Sequence, residues 1–162
     1  MSEKKHIISA LVYNKSGVLA RVATLFAARG YNIDSLSVGE TDNPEISRMT
    51  IVVRGDEKIL EQVEKQLNKL IDVIKVYEFS SIEHIERDLV LIKVNATRQN
   101  RSEIIEIVEI FRADIVDFYY DSLIVEITGD ENKISAFVNL LKPYGIKELV
   151  RTGLVAISRG GK

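Results

Sequence analysis

The sequence contains no cysteine and no tryptophan, and only two prolines and two histidines in 162 residues. Without cysteine there can be no disulfide framework, thiolate nucleophile, Cys-ligated zinc or iron–sulfur cluster. That suits a reducing compartment. The two histidines, His6 near the amino terminus and His84 in a charged segment, have no evident catalytic partner, so general acid–base chemistry finds little support. An excess of one charge is missing too. Lysine plus arginine number 22 against 24 aspartate plus glutamate, for a net charge of -2, which leaves no basic surplus to neutralise phosphates. Nucleic acid is therefore not an expected partner. No apolar run approaches the roughly 18 residues of a membrane span, and the opening six residues hold no apolar leader. A cytoplasmic protein without membrane association is expected.

What is present is ordinary globular material, 46% hydrophobic and 28% charged. Residues 7–13 are short, apolar and rich in β-branched types, as a buried strand requires, and the turn formers Asn14, Lys15, Ser16 and Gly17 close them. From Val18 the period changes. Val18, Leu19, Val22, Leu25 and Phe26 recur at helical steps until Gly30 supplies a stop. Strands are predicted at 31–41 and 48–53 around a turn at 42–44. A second helix opens at Gly55-Asp56 with Ile59, Val63, Leu67 and Leu70 on one stripe, and a strand at 73–79 follows. The order is βαββαβ.

The remainder repeats it, with strands at 89–96, 115–119, 123–128 and 146–151 and helices at 102–111 and 133–141. Gly129-Asp130-Glu131 stands where Gly55-Asp56-Glu57 stood, directly after a β-rich run, so the chain reads as an internal duplication. Two modules are expected, 1–80 and 81–162, with the mixed-charge stretch 80–88 between them and a short strand and tail after residue 153. The fold class is α+β: two ferredoxin-like modules, each a four-stranded antiparallel sheet with both helices on one face. Apolar residues occur at both parities of the first strand, as Ile7, Ile8, Ala10, Leu11 and Val12 show. The bare face or an edge should thus meet protein, and a two-fold dimer or larger assembly is expected.

The turn from Asn14 to Leu19 is the most informative local feature. A glycine and small polar side chains stand where a strand hands over to a helix, whose first N–H groups lack internal partners and favour an anion. Asn14 and Asn32 could add donors and acceptors, so the turn could hold an amino acid; equally, Ser16 could be a plain N-cap and Gly17 a plain turn residue. The corresponding turn of the second module, 97–102, has no glycine and two arginines, and there Asn100 and Glu103 suggest a capping box. Glu103, Glu106 and Glu109 read as a solvated stripe, and Asp114, Asp117 and Asp121 lack calcium-loop spacing. An RNA-recognition reading of the βαββαβ order fails on residues 48–53, which offer no aromatic for stacking.

The runs Asn14-Lys15-Ser16-Gly17-Val18-Leu19-Ala20-Arg21-Val22, Arg29-Gly30-Tyr31-Asn32-Ile33-Asp34-Ser35-Leu36 and Ser47-Arg48-Met49-Thr50 resemble the regulatory small subunits of acetolactate synthase, also called acetohydroxyacid synthase. The likeness continues through Glu86-Arg87-Asp88-Leu89 and Glu109-Ile110-Phe111-Arg112-Ala113 to the tail Gly153-Leu154-Val155-Ala156-Ile157-Ser158-Arg159-Gly160. It implies an N-terminal ACT domain that senses a branched-chain amino acid, valine foremost, and a C-terminal ACT-like domain. It implies a non-catalytic chain that activates a separate large subunit and confers feedback inhibition on branched-chain amino-acid synthesis. Thiamine diphosphate, FAD and magnesium would belong to that large subunit, with no cofactor and no metal in this chain. Carried over to this sequence, the effector-binding residues are Asn14, Gly17, Val18 and Leu19 of one ACT domain with Asn32 and Ile33 of its partner. A stand-alone amino-acid sensor that regulates another enzyme is the alternative.

Overall fold

A computed structural model of the chain describes residues 4–160. The elements run β1 (Lys5–Tyr13), α1 (Val18–Ala28), β2 (Ile33–Glu40), β3 (Ile46–Arg54), α2 (Glu57–Lys69), β4 (Val73–Glu78), β5 (His84–Asn95), α3 (Arg101–Ile110), β6 (Asp114–Phe118), β7 (Ser122–Gly129), α4 (Glu131–Leu141), β8 (Ile146–Arg151) and β9 (Val155–Ser158), with a 3-10 turn at Lys142–Tyr144. Two compact units result. One comprises residues up to Ile85 together with those from Leu154 onward, and the other is Glu86–Gly153.

The first unit holds a four-stranded antiparallel sheet in the order β2-β3-β1-β4. Ile8, Ala10 and Val12 of β1 and Met49, Ile51 and Val53 of β3 face one way, because strand side chains alternate. They pack against Val18, Val22 and Phe26 of α1 and Val63 and Leu67 of α2 in one buried cluster. The second unit repeats this in the order β6-β7-β5-β8. Its core joins Val90, Ile92, Val94, Leu123, Val125 and Ile127 to Ile104, Val108, Ile134 and Phe137.

The shared Gly-Asp-Glu signature has one physical meaning in both units. Asp56 caps α2 by accepting a hydrogen bond from Ile59 N at 2.9 Å, and Asp130 caps α4 by accepting one from Lys133 N at 2.9 Å. A Cβ on Gly55 would come within 2.8 Å of the Ile59 side chain, and one on Gly129 within 2.5 Å of Lys133. Glycine is there for closeness.

Two features differ from the sequence reading, the linker with its tail and the cap of α3. The stretch read as a linker is already strand from His84, and the tail residues from Leu154 belong to the first unit. The helix-free face of the first sheet carries Ile7, Leu11 and Val52, as apolar residues at both parities require, together with Ser37, Thr50, Ser9 and Tyr77 in one cross-strand row. Arg48 Nη1 donates to Ser9 Oγ at 2.7 Å there, and its guanidinium lies 5.3 Å from the Tyr77 ring centroid. The capping box foreseen at α3 is also shifted: Asn100 Oδ1 accepts from Thr97 N at 2.7 Å, while Glu103 accepts from the Tyr144 hydroxyl at 3.0 Å.

Candidate functional site

The entry to α1 is built unlike the entries to α2 and α4. Its N-cap is Gly17, at φ 87°, with no side chain to cap with. Ser16 is therefore not the cap. The first helical bond runs from Arg21 N to Gly17 O at 3.0 Å, so the Leu19 and Ala20 N–H groups precede the ladder and meet no capping side chain. Val18 turns its side chain into the core at 3% exposure, whereas Leu19 is 45% exposed. An anion at this turn would meet backbone donors and the apolar flank of Leu19.

Arg21 completes the turn, and the sequence reading missed it. Its Nε and Nη2 both reach Asp72 Oδ2, at 2.8 and 2.5 Å. Its Nη1 lies 3.2 Å from where a Cβ on Gly17 would stand. Buried Asp72 thus fixes the guanidinium beside the glycine. The helical i,i+4 spacing of Gly17 and Arg21 was visible in the sequence; the partner 51 residues away was not.

Asn14 follows the end of β1 and donates Nδ2 to Pro44 O at 2.9 Å and to Glu40 Oε1 at 3.3 Å. Both partners are acceptors, so the amide nitrogen faces them and Oδ1 remains for a ligand's donor. Asn32 is exposed and donates Nδ2 to Asp34 Oδ1 at 2.8 Å, while Asp34 Oδ2 accepts from Arg54 Nε at 2.7 Å. The register separates the two groups. Ile33 pairs with Val53, which pairs with His6, while Tyr13 pairs with Ile46. Seven residue steps along the strand, about 23 Å, separate those ends. Within one copy, then, Asn14 and Gly17 are together and Asn32 and Ile33 are at the far end of the sheet. Neither of two cavities in the first unit, about 770 Å³ between β4 and the tail and about 420 Å³ between α1 and α2, is lined by any of these residues.

The titratable groups elsewhere have structural employment. His6 is buried, with Nε2 3.0 Å from Gly55 O and Nδ1 2.9 Å from Ser80 Oγ. A carbonyl can only accept, so Nε2 carries the proton and Nδ1 accepts in the neutral ring. His84 holds Ile82 O through Nδ1 at 2.9 Å and packs on Phe79. The hydrogen bond to Glu103, followed by desolvation, raises the Tyr144 phenol above its usual 10.0. Glu103, Glu106 and Glu109 are all exposed. Among the described residues no cluster of three or more His, Cys, Asp or Glu could hold a metal, and no helix is long and apolar enough to cross a membrane.

Two βαββαβ units, the first entering its opening helix at an uncapped left-handed glycine, define a tandem ACT-type protein. The match to known proteins is more specific. Residues 8–75 fit the family described as the AHAS small subunit-like ACT domain, and 87–160 fit the small subunit of acetolactate synthase. A protein of Archaeoglobus fulgidus bearing the name "Probable acetolactate synthase small subunit" is 60% identical over 158 residues, covering 98% of this chain and 99% of its own. The acetolactate synthase small subunit of Aquifex aeolicus is 54% identical, over 96% of this chain and 82% of its own. The crystal structure of the acetolactate synthase small subunit from Thermotoga maritima superposes with a TM-score of 0.88 at 44% identity, covering 98% of this chain and 99% of that one. The chain belongs to the acetolactate synthase small-subunit family, a regulatory class whose name implies a catalytic large-subunit partner.

Proposed function

We propose that this chain binds a branched-chain amino acid, valine foremost, at a seam between two copies of its first unit, and thereby activates and feedback-inhibits a catalytic large subunit. That large subunit would hold thiamine diphosphate, FAD and magnesium and perform the condensation of 2-oxo acids; this chain contributes no cofactor. The observation that carries the reading is the placement of the expected contacts at opposite ends of β2, a strand that forms one edge of its sheet. Residues 35–39 of that edge, Ser-Leu-Ser-Val-Gly, are uncharged, and the carboxylates at its two ends, Asp34 and Glu40, are held by Arg54 and Asn14, so two copies could pair there. An antiparallel two-fold pairing sets Ile33 of a second copy beside Glu40 of the first, whose carboxylate Asn14 holds.

In that arrangement the effector carboxylate sits on the Leu19 and Ala20 N–H groups with Arg21 alongside. Its ammonium meets Asn14 Oδ1, and its aliphatic chain packs between Leu19 and the Ile33 of a second copy, with Asn32 beside it. Charge-assisted hydrogen bonds contribute about 1.5–3 kcal/mol each and a small buried side chain about 1.5–3 kcal/mol, against several lost to association. The expected affinity is micromolar to millimolar, on the order of 4–8 kcal/mol. The ligand then biases how the paired units pack, and a coupling of about 1–3 kcal/mol reaches the large subunit.

The deciding experiment reconstitutes the chain with its cognate large subunit and measures acetolactate formation with and without valine, leucine and isoleucine. Activation by the chain and inhibition by at least one of the three are expected. A large subunit indifferent to the chain, or a holoenzyme indifferent to all three, would refute the reading.

A further inference from the structure

The hairpin joining β6 to β7 carries Phe118, Tyr119 and Tyr120 in succession, exposed by 57%, 57% and 74%. The chain has 11 aromatic residues, six Tyr and five Phe, and three of them stand together in water at one turn. Aromatic surface is costly to leave wet and is the material of binding hot spots. The turn is also held rigid. Arg101, the first residue of α3, donates through Nη2 to Tyr119 O at 3.2 Å and to Tyr120 O at 2.6 Å, and its guanidinium lies 4.5 Å from the Phe118 ring centroid. Tyr119 N donates to Ser122 O at 2.9 Å, Ala96 N donates to Asp121 O at 3.0 Å, and the two tyrosine rings lean on each other at 4.7 Å. Arg101 leaves its own Nε buried without a partner to make this grip. A tip fixed beforehand loses little entropy on binding.

We infer that this aromatic tip is the docking element for the catalytic large subunit, and that it enters an apolar cleft rimmed by lysine or arginine. The inference rests on the chain acting as a regulator of that subunit. A second copy of the chain is the poorer occupant. β6 carries Asp114 and Asp117 in five residues, so two copies joined along it would bring four carboxylates to one seam, whereas the two acidic residues of β2 are held, Asp34 by Arg54 and Glu40 by Asn14. The same acidic flank, continued by Glu126 opposite Asp114, complements a basic rim on a different protein. Val116, 52% exposed on the same strand, extends the apolar surface.

The test titrates the cognate large subunit with the full chain and reads the concentration giving half-maximal activation, for wild type, Tyr119→Ala/Tyr120→Ala and Asp117→Lys. Both tyrosines are exposed, so folding should persist, checked by circular dichroism and by calorimetric titration with valine. The double variant should raise the half-activating concentration at least about 30-fold, and Asp117→Lys should raise it and flatten its dependence on salt. Sedimentation of the chain alone and its valine affinity should not move. Half-activation within twofold of wild type for the double variant would overturn the inference, as would dissociation of the chain's own oligomer, which would place a second copy on the tip. Failure of the wild-type chain to activate would instead remove the regulatory reading on which the hairpin's role rests.

Discussion

Replacing Gly17 by aspartate tests the candidate effector site where the structure constrains it most. Two costs can be separated. The first is conformational: φ is 87° at this position, and a side chain in the left-handed region costs about 1–2 kcal/mol. At this chain length each kcal/mol lowers the melting midpoint by about 2–4 °C, so a drop of about 2–8 °C is expected for Gly17→Asp and for Gly17→Ala alike. The second is electrostatic and belongs to aspartate alone. A carboxylate about 4 Å from the effector's carboxylate repels it by roughly 4 kcal/mol at an effective dielectric near 20. Arg21, whose Nη1 lies 3.2 Å from the new Cβ, would offset part of this. Even half, about 2 kcal/mol, weakens binding about 30-fold. The assay is the valine inhibition curve of the reconstituted enzyme, with calorimetry on the chain itself. Gly17→Asp should need at least 30-fold more valine while still activating the large subunit, with Gly17→Ala in between. Wild-type valine sensitivity in folded Gly17→Asp would refute the site. Equal losses for the two variants would refute the charge argument and leave only the backbone's shape.

The other expectations are simpler. Asn32→Ala should weaken inhibition without lowering thermal stability, whereas Glu106→Ala on the exposed stripe of α3 should leave the inhibition curve in place; the reverse pattern would move the site to the second unit. His6→Ala leaves Gly55 O and Ser80 Oγ without their ring partner and should cost about 1–3 kcal/mol in urea unfolding; an unshifted midpoint would show that water replaces the ring. Glu64 is pushed above the usual 4.5, first by desolvation and then by Glu78 and Glu61. Its carboxylate is therefore harder to form in the folded chain than in the unfolded one: the stabilising contribution is full below pH 4.5 and is lost as pH rises through the elevated value. Glu64→Gln should be more stable than wild type at pH 7 by a few tenths of a kcal/mol after solvent screening, and the gain should vanish near pH 4; a gain that persists in acid would assign it to packing instead.

The order of elements was legible because it is written locally. Helical and strand periods need only a dozen neighbouring residues, and the Gly-Asp entries to α2 and α4 announce themselves over three. What escaped was non-local. Residues 84–88 look like a linker because they are charged, yet they begin a strand, and the pairing of β5 with distant β9 is invisible to a local window. His6 seemed idle because its two partners are 49 and 74 residues away. Of the candidate site, the turn at Asn14 to Leu19 could be picked out, and its contrast with the second module could be seen. The inward aim of the Asn14 amide, the Asp72 clamp on Arg21 and the seven-residue separation of Asn32 from Asn14 along the sheet all depend on strand register, which composition does not encode.

Because the unit that opens the chain also contains residues from Leu154 onward, the order of synthesis and the order of completion differ. On the ribosome, the intervening unit has all its strands once Gly153 has emerged, while the earlier one still waits for Leu154 and Ala156, both buried in the finished fold. The first unit is thus closed last, and a nascent chain stalled before Leu154 would present a second unit with all its strands beside an unfinished first unit.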